Sequence, residues 1–170
     1  MLVGYEALLA RRSIRKYTPE PVKTGDIKKL LEAAMAAPTG GNRKPWHFIT
    51  VKDRHTLNKL AENHPYGKML YEAPLCIAVC GDPAISPLPR QFIVEDCSAA
   101  TMNILHGAVA LKLGAVWIGL PLDEQKTMVR GLLGIPENIV PQNLIAVGYP
   151  AEEKEPRTQY DETRIHNEKW

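Results

Sequence analysis

The sequence predicts an α+β fold, a modest sheet flanked by several helices. Three observations point there. Segments with helical spacing alternate with short apolar runs of strand length. The strands are few and short for a chain of 170 residues. The longest pattern, from Pro89 to Leu113, is helical and rich in small residues, which permits close packing against another helix.

Taken in order, Tyr5 to Arg11 reads as a short helix with Tyr5, Leu8 and Leu9 on one face. Thr24 is placed to cap a second helix, because Ile27, Leu30, Leu31 and Ala34 follow at helical spacing. That helix stops before Pro38, since a residue preceding proline resists the α conformation. Trp46 to Val51 reads as a strand, and Asp53 to Asn63 as a helix carried by Leu57 and Leu60. Leu75 to Cys80 is a continuous apolar run, the pattern of a buried strand. In the long helix Val94, Cys97, Thr101, Ile104, Leu105, Ala108 and Leu111 mark one broad face, and Gly114 is placed to end it. Its expected length is about 35 Å at ~1.5 Å per residue. Ala115 to Gly119 is a short strand. Asp123 caps a helix to Leu133, closed by Gly134 with Pro136 beyond. Asn143 to Gly148 is a further buried strand. The last stretch, residues 150–170, is too polar to fold alone, yet Tyr160, Ile165 and Trp170 are spaced through it. It reads as an extended arm laid over another subunit.

Composition excludes several classes. A net charge of +2 is too small for a polyanion partner, so any basic site must be local. No apolar run approaches the ~20 residues of a membrane span. The N-terminal charges follow the first apolar stretch, whereas a secretory signal places them before it. The cysteines, Cys76, Cys80 and Cys97, are odd in number and lie in apolar surroundings, which suits buried, reduced thiols and a cytoplasmic location. The five histidines show no ligand spacing, so no metal is expected. There is no GxGxxG, no P-loop and no GxSxG elbow.

Three stretches offer chemistry. In Arg11-Arg-Ser-Ile-Arg-Lys16 four of six residues are basic. If the chain runs extended there, Arg11, Ser13 and Arg15 share a face while Ile14 turns to the core. Two guanidiniums flanking a hydroxyl make a phosphate grip. Read alone, the stretch is a solvated basic surface before it is a grip, and a nucleic-acid arm fits less well than either. In Ala36-Ala-Pro-Thr-Gly-Gly-Asn-Arg-Lys-Pro-Trp46, residues Thr39, Gly40, Gly41 and Asn42 allow close backbone approach to a ligand, and Trp46 offers a flat apolar surface. An ordinary helix-to-strand turn explains the same residues. Gly119, after a buried strand, exposes backbone N–H groups or simply makes a tight turn.

These pieces, in this order, resemble the FMN-dependent nitroreductase family. The matching text is Arg11-Arg-Ser-Ile-Arg15 followed by Tyr17, Ala37-Pro-Thr-Gly-Gly-Asn42 running into Pro45-Trp46, Asp96 with Asn103, Gly114-Ala-Val-Trp-Ile-Gly119, and Ala146-Val-Gly-Tyr-Pro150. The resemblance implies a nitroreductase-like α+β fold with a central, mostly antiparallel sheet. It implies one FMN-binding domain over residues 1–170 and an intertwined homodimer embraced by the C-terminal arm. Carried over, Arg11, Arg12 and Ser13 resemble phosphate or ribityl contacts, and Arg15 the residue at the pyrimidine edge of the flavin. Pro38, Thr39, Gly40 and Asn42 resemble contacts reaching across from the partner. Ile118, Gly119 and Leu120 resemble the backbone beside flavin N5, Lys68 a lysine near the ring, and Arg157 a late basic residue on the phosphate. Lys44 stands where glutamine is common, and the brief Gly81-to-Pro89 segment replaces a lid carried by larger members.

The implied activity is hydride transfer from NADH or NADPH to nitroaromatic, quinone or similar conjugated acceptors by a ping-pong mechanism. The flavin carries the chemistry, Arg15 tunes it, and no catalytic side chain is obligatory. Alternatives are a flavin-binding or sensing protein without turnover, a reductive dehalogenase or a flavin-consuming enzyme of the same fold. Neither nucleic acid nor membrane is expected as a partner.

Overall fold

Side-chain alternation along Leu75–Gly81 organises the molecule. All of its residues are buried. Leu75, Ile77 and Val79 enter one core, and Cys76, Ala78 and Cys80 enter another on the opposite face. A strand covered on both sides shows no polar alternation, which is why its sequence is a continuous apolar run.

The computed structural model describes residues 4–85 and 89–170. Its elements are α1 (Tyr5–Ala10), α2 (Thr24–Met35), β1 (Trp46–Val51), α3 (Arg54–Asn63), β2 (Leu75–Gly81), α4 (Arg90–Ala110), β3 (Gly114–Gly119), α5 (Asp123–Leu133) and β4 (Val140–Gly148), with three short 3₁₀ turns. The sheet order is β1-β2-β4-β3, and every neighbouring pair is antiparallel. Helices α2 and α4 pack on one face through Leu30, Ala34, Ile104 and Ala108. Helices α3 and α5 cover the other through Leu57, Leu60 and Val129. The α+β expectation holds. No helix among the described residues is long and apolar enough to cross a membrane. The shortened lid segment falls partly on residues 86–88, outside the described residues.

Several boundaries move for physical reasons. Lys23, not Thr24, flanks α2, and Thr24 is already its first helical residue. Leu122, not Asp123, flanks α5, where the Leu122 N–H donates to Gln125 Oε1 at 3.2 Å. Asp53 does cap α3, accepting from the Thr56 N–H at 2.8 Å. The long helix stops at Ala110. Lys112 takes φ 59, and the Leu113 N–H folds back to the Ala108 carbonyl at 2.8 Å. Gly114 therefore opens β3 instead of closing the helix. β4 begins earlier than expected, at Val140, and carries a bulge: Val79 faces Asn143 but Cys80 faces Pro141, which has no N–H for the ladder.

Buried polar groups tie the layers. Asn143 Nδ2 donates to Thr101 Oγ1 at 3.0 Å, and that hydroxyl donates to the Cys97 carbonyl at 2.8 Å, joining α4 to β4. Asn103 Nδ2 donates to the Ala33 carbonyl at 2.9 Å, joining α4 to α2. The three cysteines are free and buried, and burial pushes their thiols up to about 12, 11 and 12 for Cys76, Cys80 and Cys97. Thiols so seldom ionised are poor nucleophiles.

Candidate functional site

The basic stretch is pinned to the sheet through Ile14. Its N–H donates to the Ala115 carbonyl at 3.1 Å, and Ser13 bridges Ala115 in the parallel sense. Further on, Tyr17 pairs antiparallel with Pro150, and the Thr18 N–H donates to the Tyr149 carbonyl at 2.9 Å. The segment is thus threaded between the start of β3 and the end of β4. Tyr17 locks it from below. Its hydroxyl donates to the Ile14 carbonyl at 2.5 Å and lies 3.2 Å from the Ala146 carbonyl, and burial pushes the phenol far above its ordinary range.

The start of the C-terminal arm runs along this segment within the same chain. The Arg12 guanidinium donates to the Glu155 carbonyl. The Arg15 backbone N–H donates to Glu152 Oε1 at 2.5 Å, and Lys154 Nζ donates to the Ser13 carbonyl at 2.6 Å. The Arg15 N–H, with Lys154 in support, holds the Glu152 carboxyl below its ordinary value of 4.5. A carboxylate held low stabilises the fold above that value, and the contribution drains away as pH falls below it. Glu152→Gln is therefore expected to flatten the acid limb of the Tm-against-pH curve below about pH 4.5. An acid limb identical to that of the native chain would show that this contact contributes nothing.

Arg15, Lys68, Ile118 and Gly119 come together at one cavity of about 520 Å³. Two cavities of comparable size, beside Pro19 and Lys52 and beside Asp123 and Arg130, collect none of the expected residues. Lys68 begins the 3₁₀ turn Lys68–Tyr71; its Nζ donates to the Ala61 carbonyl at 3.3 Å and stands 5.8 Å from the Tyr71 ring centroid. Leu120 is buried between two lining residues, Gly119 and Pro121. Arg11, Arg12 and Ser13 are half-buried and line no part of this cavity; Arg12 lines a separate, smaller one with Ile14, Glu152 and Lys154. Burial first, then the Arg11 charge, holds the His106 imidazole below its ordinary value. Arg157 is exposed, its N–H reaching the Leu9 carbonyl at 3.3 Å.

Pro38, Thr39, Gly40 and Asn42 line no part of that cavity. They form a separate loop held by Asp96, whose Oδ1 accepts from the Gly40 N–H at 2.8 Å. The loop turns through left-handed backbone at Gly41 (φ 56) and Asn42 (φ 55). Trp46 is not a ligand surface: it is 8% exposed and belongs to the core beneath α2 and α4. Sequence reasoning missed His64, Tyr66, Met69 and Trp117, all of which line the cavity. Trp117 could have been found, because it precedes Ile118 and Gly119 on the same strand. His64 has no sequence signal beyond standing at the end of α3.

An antiparallel sheet covered on both faces, with a cationic cavity of apolar floor at the end of its β3 edge, defines a small-ligand-binding α+β domain. The chain belongs to the nitroreductase family, whose profile matches residues 8–64 and 61–149. A protein of Archaeoglobus fulgidus, provisionally named an NADH dehydrogenase/NAD(P)H nitroreductase, is 47% identical over 167 residues covering 96% of each chain. A crystal structure from Parabacteroides distasonis with the same provisional name has a TM-score of 0.92 at 42% identity, covering 97% of both chains. A provisionally named nitroreductase from Desulfovibrio desulfuricans, solved in complex with FMN, has a TM-score of 0.81 at 31% identity, covering 95% of this chain and 94% of that one.

Proposed function

We propose that the chain is an NAD(P)H-dependent flavin oxidoreductase that holds FMN and passes hydride to nitroaromatic, quinone or similar conjugated acceptors. The observation that carries this is the meeting of Arg15 and Lys68 with the end of β3 at one cavity. FMN asks for an apolar slot, donors and positive charge at the ring edge, and cations for its phosphate. Met69, Val116, Trp117 and Ile118 supply the slot, and Arg15 and Lys68 the edge. Arg11, Ser13 and Arg157 are the residues for the phosphate and ribityl chain. Arg12 joins them less directly, because its guanidinium already serves Glu155.

Bound FMN supplies the hydride chemistry. The chain's own work is placement and field. The fixed charge of Arg15 favours negative charge at the ring edge. Donor and acceptor use one open face in turn, a ping-pong order, and no side chain has to move a proton.

The same reading makes residues 1–170 one FMN-binding domain that works as a homodimer. Within a single chain, α1 buries none of its residues, and Tyr5, Leu8, Tyr160, Ile165 and Trp170 are exposed. A partner subunit lying over them removes this apolar surface from water. It also brings Pro38, Thr39, Gly40 and Asn42 to the second site, with residues 150–170 as the embracing arm.

The test is a visible spectrum of the purified protein, repeated anaerobically after NADH or NADPH is added. A flavin spectrum bleached by either donor is the expected result. Bound flavin that neither donor bleaches would replace the enzyme with a flavin-binding protein. Failure to take up added FMN would end the assignment of the site.

A further inference from the structure

His64 forms part of the cavity wall and is 1% exposed. Both of its ring nitrogens are engaged. The Tyr66 N–H donates to Nδ1 at 3.1 Å, and Nε2 lies 2.9 Å from the Gly119 carbonyl oxygen. A backbone N–H can only donate and a carbonyl oxygen can only accept, so the ring proton is on Nε2. This buried imidazole therefore bridges two walls made by distant parts of the chain, the turn leading to Lys68 and the end of β3. The turn is fitted to it: a Cβ at Gly67 would stand 2.9 Å from His64 Cβ, and the Gly67 N–H returns to the His64 carbonyl at 3.0 Å.

We propose that His64 is a positioning residue for the flavin edge of the site, acting through the peptide that joins Gly119 to Leu120. This rests on the FMN reading above. A hydrogen bond accepted by the Gly119 oxygen polarises that peptide and makes its N–H, carried by Leu120, a stronger donor. It also fixes the orientation of the peptide at the strand end, where the ladder with β4 stops at Gly119 opposite Asn143. Through Nδ1 the same ring sets Tyr66 and the turn that carries Lys68. With 1% of its surface open and both ring nitrogens engaged, His64 has no free polar atom to offer a substrate. Its reach is entirely through what it holds.

Two variants separate the two bonds. His64→Gln keeps a donor near the position of Nε2. His64→Asn keeps an acceptor for Tyr66 but leaves the Gly119 carbonyl without its donor. His64→Asn is expected to bind FMN about tenfold more weakly, the effect of one lost hydrogen bond. It is also expected to change the ratio of affinities for reduced and oxidised FMN about tenfold, which is ~30 mV in midpoint potential for a two-electron couple. His64→Gln is expected to recover most of both. Equal losses in the two variants, or none in either, would make His64 a packing residue and overturn the proposal.

A measurement on the native protein needs no variant to fold. Ring nitrogen NMR of histidine-labelled apoprotein should show His64 with its proton on Nε2, and that resonance should move as FMN is added. A proton on Nδ1, or a resonance unmoved while FMN binds, overturns the role of His64 alone. Native protein that binds no FMN overturns the flavin reading and this proposal with it.

Discussion

Arg15→Ala is expected to bind FMN at least about tenfold more weakly than the native chain, and to melt at nearly the same temperature. The two halves of that expectation come from different atoms of one residue. The backbone N–H of Arg15 fastens the segment to Glu152, and alanine keeps that N–H. The side chain is exposed and lines the cavity, so its removal costs no packing in the core. What is lost is a guanidinium that offers paired donors and a fixed charge to one edge of the ligand. Arg11→Ala should also weaken FMN binding, with a steeper dependence on salt if its target is the phosphate. Arg12→Ala should behave differently. Its guanidinium is spent on the Glu155 carbonyl, so its removal should first loosen the arm. Fluorescence titration of apoprotein with FMN, paired with thermal melts, reads both effects. Full flavin occupancy in both Arg11→Ala and Arg15→Ala would remove the basic segment from the site.

Elements with one strong local cause were legible in the sequence, and relations between elements were less so. The periodicity of Ile27, Leu30 and Ala34 and the apolar run at Leu75 place a helix and a strand without ambiguity. The direction of the strands was not visible in those runs. β2 and β4 are covered on both faces, and a fully covered strand has the same apolar signature in parallel and antiparallel sheets. The antiparallel expectation came from family resemblance. The end of α4 was misplaced because glycine is the usual left-handed stop, whereas Lys112 adopts that conformation here. In the site, the basic segment and the Ile118-Gly119 corner could be named from short motifs. His64 could not, because its partners, Tyr66 and Gly119, are backbone groups, and backbone groups leave no mark on composition. Trp46 was left open for a related reason: its indole is apolar enough for a ligand or for a core, and only packing decides.

Gly114→Ala is expected to cost both stability and flavin, although Gly114 touches no ligand in the proposed site. A Cβ built there would lie 2.7 Å from Ile14 Cγ2 and 2.8 Å from Ile14 Cβ. The second distance is decisive. A clash with Cγ2 alone could be relieved by a rotamer change, but Ile14 Cβ is fixed to its backbone. The segment itself must retreat from β3. That strains the bond from the Ile14 N–H to the Ala115 carbonyl and carries Arg11, Ser13 and Arg15 away from the sheet with it. Overpacking of this kind costs about 1–3 kcal/mol, and the displaced cations should weaken FMN binding about tenfold or more. The control is Gly131→Ala in α5, where an added Cβ meets nothing within 4 Å. A glycine in a helix interior carries an entropic cost of about 0.5–1 kcal/mol relative to alanine, so this change should raise Tm and leave FMN binding unaltered. Thermal melts and flavin titrations on the pair separate site geometry from general stability. If Gly114→Ala lost stability but kept native FMN affinity, the Arg11-to-Arg15 segment would be a structural strap only, and the phosphate grip would have to be sought elsewhere on the chain.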